Sequence, residues 1–162
     1  MIDEDGDAYA KLTAVRRIWA IGAVHGDATR LKDLHREIST RATRGDRFVY
    51  LGNLIGYGTQ IVETLDEVLR FRRAMFMPGM EPGDFAYLRG AQEEMWTKLL
   101  QIQFAPNPRE VFEWMIQQGV AATLIAYGGR IDEARSLMGE GAIAITRWTN
   151  ALRTSTQRRM GH

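Results

Sequence analysis

The chain has 162 residues, a net charge of +1 and no cysteine. That length suits one domain, and the balanced charge gives no argument for affinity to nucleic acid or to a bilayer. The missing cysteines exclude disulfides, zinc–thiolate sites and cysteine nucleophiles.

The first fourteen residues read as a flexible acidic lead-in carrying Asp3, Glu4, Asp5 and Asp7, ahead of a single domain over 15–162. With no apolar h-region there, and no apolar run of the ~20 residues that cross a bilayer, a cytoplasmic location is expected. Arg17-Ile18-Trp19-Ala20-Ile21-Gly22 is a short apolar run ending in glycine, which suits a buried strand. Gly22–Asp27 is then the turn that follows, with Asp27 or Thr29 as helix cap. Leu31, Leu34 and Ile38 recur at helical spacing, and His35 falls on the face expected to be solvated. Gly45-Asp46 marks a turn before a second buried strand, Phe48–Leu51.

Gly52–Gly58 is a glycine-rich loop that lacks the GK[ST] of a nucleotide P-loop. A helix is predicted from about Gln60 to Met75, with Ile61, Leu65, Val68 and Leu69 as its stripe. Pro78-Gly79 and Pro82-Gly83 break the chain, and Phe85–Leu88 is a third short strand. From Gln92 onward helices dominate. Met95, Leu99, Leu100 and Ile102 line one; Pro108 opens the next, which carries Val111, Trp114 and Met115; Ile145, Trp148 and Leu152 mark the last. The order strand–helix–strand–helix–strand implies an α/β fold of parallel strands with crossover helices over about 16–90, then an all-helical segment over about 91–158. Ligands of such sheets sit at the loops after the C-terminal strand ends, and all three of those loops carry glycine.

The three loops read Gly22-Ala23-Val24-His25-Gly26, Gly52-Asn53-Leu54-Ile55-Gly56-Tyr57-Gly58 and Gly90-Ala91-Gln92-Glu93. In order and strand context they resemble the GDxHG, GDxxDRG and GNHE motifs of calcineurin-like metallophosphoesterases, the serine/threonine phosphatase branch in particular. The resemblance spans about residues 16–128 and implies the N-terminal half of that fold. It also implies a metal-dependent phosphatase ancestry, but the family's chemical positions have changed. The first aspartate is Ala23, leaving His25; the metal-bridging aspartate is Asn53; a later aspartate and the phosphate-holding arginine are Gly56 and Tyr57. The third motif's asparagine and histidine are Ala91 and Gln92, while Glu93 is kept.

Two divalent cations ~4 Å apart need anionic ligands to offset their repulsion. His25 and Asn53, the remaining metal-ligand candidates, leave room for at most one weakly held divalent cation such as Mn, Mg, Fe or Zn. Gln92 and Glu93 occupy the third motif's catalytic region, and Tyr57 and Arg89 are the substrate-binding candidates. Three of these have a plainer reading: His25 as a turn histidine bracing its loop, Asn53 as a left-handed turn residue, Tyr57 as a surface aromatic. The leading expectation is a degenerate phosphoesterase-like protein that acts by binding. The alternatives are an active phosphatase whose altered site is completed by residues beyond 162, and an interaction subunit or homo-oligomer that uses helices 92–157 to meet a protein partner.

Overall fold

The computed structural model describes residues 15–76 and 82–160, so the acidic lead-in and the Pro78-Gly79 break lie outside the described residues. Three strands, β1 (Arg17–Ile21), β2 (Asp46–Tyr50) and β3 (Phe85–Tyr87), form one parallel sheet in the order β1-β2-β3. Ile21 pairs with Tyr50 and Tyr50 with Tyr87, so the strands end level with one another. Helices α1 (Ala28–Arg41) and α2 (Ile61–Met75) make the two crossovers. Successive crossovers stepping in one direction place both helices on one face of the sheet. Leu31 and Ile38 of α1 and Val68, Phe71 and Met75 of α2 therefore share a core with Ile21, Phe48, Tyr50 and Phe85.

Because side chains alternate along a strand, the other face carries Ile18, Ala20, Val49 and Ala86. It is open: Ile18 is 51% exposed, and Leu51 and Leu88, which continue that face, are 49% and 52% exposed. This corrects the reading of β1 as a buried strand. Among the described residues it is an edge strand covered on one side only, and of its five residues only Ile21 is fully buried.

The Asp27 carboxylate caps α1 by accepting the Arg30 N–H at 2.9 Å. The inward line of α1 runs Ala28, Leu31, His35, Ile38, while Leu34 is 41% exposed. His35 is thus not on a solvated face. It is 1% exposed, because Glu67 and Tyr50 satisfy both ring nitrogens and remove the usual penalty for burying imidazole. In α2 the same displacement occurs: Thr64 and Glu67 are buried, and Leu69 turns outward.

After β3 the chain folds into α3 (Ala91–Leu99), α4 (Pro108–Met115), α5 (Ala121–Ala126), α6 (Ile131–Leu137) and α7 (Ala142–Met160). Asn107 caps α4, with Pro108 in its first turn. Gly119, at φ 98°, kinks the wider turn Ile116–Val120 between α4 and α5. These helices enclose a second core around Trp96, Leu99, Phe112, Leu124 and Ile145, which reaches the first through Leu65. Among the described residues no helix is long and apolar enough to cross a membrane.

Candidate functional site: the junction of the three post-strand loops

Level strand ends bring the loops after β1, β2 and β3 together. The second loop is the hub. Asn53 O accepts the Val24 and His25 N–H groups at 3.0 and 2.8 Å, and Leu54 O accepts Gly26 N–H at 2.9 Å. In return His25 O accepts Gly58 N–H at 2.8 Å. Such close backbone contact needs glycine. A Cβ on Gly58 would lie 2.3 Å from His25 O, and one on Gly52, at φ 90°, would lie 2.3 Å from Gly90 N.

Glu93, at the third turn position of α3, ties the second loop to the third. Its Oε2 accepts Asn53 N–H at 2.7 Å and Gly90 N–H at 2.8 Å; its Oε1 accepts Leu54 N–H at 2.8 Å and Ile55 N–H at 3.3 Å. Four backbone donors on one carboxylate make charge-assisted bonds of the stronger kind. Asn53 completes the tie, its Oδ1 accepting Gln92 N–H at 3.0 Å.

Three non-glycine residues among those described have left-handed backbone: His25 (φ 52°), Asn53 (φ 54°) and Tyr57 (φ 61°). All three lie at this junction, and all three were singled out from sequence. Such conformations cost about 1–3 kcal/mol each and persist where surrounding structure imposes them. Here the cross-loop bonds do so. The His25 ring meets the Tyr57 ring edge-on at 5.2 Å, and Tyr57, 56% exposed, lies over Gly119. Ring-to-ring packing thus stands where the family resemblance implies cations and a guanidinium.

The helical segment contributes residues the sequence did not point to. Gly119 O accepts Tyr57 N–H at 3.2 Å, the buried Thr123 hydroxyl accepts Gly56 N–H at 3.1 Å, and Gln92 Nε2 donates to Gln118 O at 2.8 Å. The available signal was Gly119, an isolated glycine inside an apolar helical run. Arg89 is not drawn into the junction; it is half exposed and held along α3 by Glu94 at 3.2 Å and by Thr97. Glu94 therefore points away from Glu93.

The residues present do not fit a two-metal centre. The Asn53 amide oxygen and both Glu93 oxygens are engaged by backbone N–H groups. Among the described residues no three His, Cys, Asp or Glu side chains are grouped to hold a metal. His25 Nδ1 and Gln92 Oε1 are the buried polar atoms of the junction left without a partner. A cleft of about 250 Å³ lies beside the first loop, lined by Gly22, Ala23, Val24, Asp27, Arg30 and Leu34. Ala23 presents a methyl group there, and Asp27 is committed to capping α1. Compared with protein-family models, curated proteins and solved structures, the chain matches none.

Proposed function

We propose that this chain is a metallophosphoesterase-like domain without a working two-metal centre, which acts by binding. The observation that carries the reading is the convergence of the three motif-bearing loops at the sheet's C-terminal edge, with their acceptors turned onto each other's backbone. The glycines and Glu93 that shape such a junction are retained, while the groups that would face a cation are Ala23, Asn53 and Gln92. A neutral amide, already hydrogen-bonded, offers no charge to balance two cations. Metal analysis of protein equilibrated with Mn²⁺ and then gel-filtered tests the reading. Well under one ion per chain is expected; one or more per chain, lost in His25→Ala, contradicts it.

A second reading, an interaction subunit, is favoured by the exposed apolar side chains of the helical segment: Phe104, Trp114, Ile125 and Ile143 are 80%, 52%, 58% and 72% exposed. Light scattering on a size-exclusion column tests its homo-oligomer form, and a clean monomer across concentrations contradicts that form.

A further inference from the structure

Between the sheet and its two crossover helices runs a buried polar chain that the loop junction does not use. His35 Nδ1 lies 2.6 Å from Glu67 Oε1, and His35 Nε2 lies 2.9 Å from the Tyr50 hydroxyl. Arg70 closes the outer end, donating from Nε and Nη2 to the Glu67 carboxylate at 2.7 and 2.8 Å. His35, Tyr50 and Glu67 are all essentially buried, and Phe71 stacks on the imidazole at 3.9 Å between centroids.

The partners fix the direction of each bond. A carboxylate only accepts, so Nδ1 carries the hydrogen toward Glu67. Nε2 of the neutral ring then accepts from the Tyr50 O–H. Among the described residues that nitrogen is the hydroxyl's sole hydrogen-bond partner. A second proton on the ring would set N–H against O–H. The hydroxyl would have to turn its hydrogen into apolar packing, and a buried donor left unpaired costs about 1–3 kcal/mol.

Tyr50 ends β2. Its carbonyl accepts Leu88 N–H at 2.8 Å, and the chain continues through Gly52 and Asn53, both left-handed, into the hub loop. We propose that Tyr50, His35 and Glu67 form a proton-sensitive clasp, in which charging His35 loosens the end of β2 from α1 and α2 and shifts the 52–58 loop.

Glu67 and Arg70 face His35 from α2, and Tyr50 faces it from β2 with Tyr87 of β3 stacked behind. Lys32 of α1 and Glu63, Asp66 and Arg73 of α2 line the groove above Glu67. Burial holds the imidazole below its usual range; the Glu67 hydrogen bond and charge pull it back up, and Arg70 opposes them. The folded state therefore gives up this proton more readily than the unfolded chain. Its contribution to stability is present at neutral pH and is lost as pH falls through about 6.5 toward the lower folded value.

The test is NMR on the full chain carrying His25→Asn, which removes the junction's own imidazole while keeping a residue that tolerates left-handed backbone. At pH 7.5 the His35 nitrogens should show Nδ1 protonated and Nε2 bare. On acidification the Gly52 and Asn53 amides should shift with His35's own midpoint. Adding His35→Gln, whose amide can both donate to Glu67 and accept from Tyr50, should abolish that shift. An Nε2-protonated tautomer overturns the proposal, as do loop amides that stay still while His35 charges or that titrate unchanged in His35→Gln. Should His35→Gln fail to fold, the tautomer and the shared midpoint in the His25→Asn protein decide the question alone.

Discussion

The junction's single residues divide into those whose place in the chain is fixed by backbone geometry and those fixed by hydrogen bonding. Gly52 and Gly128 both have positive φ, at 90° and 85°, but a Cβ on Gly52 would strike the backbone of Gly90 while one on Gly128 meets nothing within 4 Å. Gly128→Ala should cost the ~1 kcal/mol of left-handed strain, and Gly52→Ala at least about 2 kcal/mol more, because backbone must move. Urea unfolding of the two variants measures the difference. Glu93 and Glu94 are adjacent and chemically alike, yet Glu93 accepts four backbone donors and Glu94 pairs with half-exposed Arg89. Glu93→Gln should cost about 2–3 kcal/mol, as amide hydrogens now face buried N–H groups, and Glu94→Gln no more than about 1 kcal/mol. The same denaturation series checks it, and equal costs would contradict the role given to Glu93.

At the scale of elements, two buried carboxylates hold helices and strands together, and each predicts an acid limb distinct from that of His35. Asp46, at the start of β2, accepts Trp19 Nε1–H at 2.8 Å and Thr43 N–H at 3.2 Å. Burial pushes its carboxyl up, but those bonds and the charges of Arg17 and Arg16 outweigh burial and hold it below its usual range. Burial likewise pushes Glu67 up, and the Arg70 and His35 bonds bring it below its usual range. For both, the folded pKa lies under the unfolded one, so their stabilisation is present above about pH 4.5 and is lost as pH falls further. Thermal unfolding against pH should show one loss beginning near pH 6.5, absent in His35→Gln, and a second below about pH 4.5 that remains. The elements themselves were largely legible: strand–helix–strand–helix–strand, a cap at Asp27 or Thr29 of which the structure uses Asp27, Pro108 opening α4, and the glycine-rich 52–58 loop all follow from local pattern. His35 and Glu67 were not legible. Periodicity counts apolar residues, and a polar pair that satisfies itself across two helices occupies core positions that the pattern assigns to Leu34 and Leu69.

For the whole molecule, the sheet topology sets both what is covered and what is open. Among the described residues, two crossovers in one direction leave Ile18, Val49 and Ala86 on a face without helices, and the order β1-β2-β3 puts β1 at the edge, so the apolar run is only partly buried. The loop junction was visible in sequence because glycine recurs after each strand, with Glu93 following the third. Its closure by Gly119 and Thr123 was not, because those contacts join residues more than 60 positions apart. The same topology that gathers the three loops leaves them bonded mainly to one another, and on the function proposed above such a junction does not perform two-metal phosphoester hydrolysis. The most direct measurement is hydrolysis of a generic phosphomonoester by purified protein in Mn²⁺, alongside His25→Ala. No turnover above the protein-free rate is expected for either; turnover by the unaltered chain that disappears in His25→Ala would contradict a junction without a working two-metal centre.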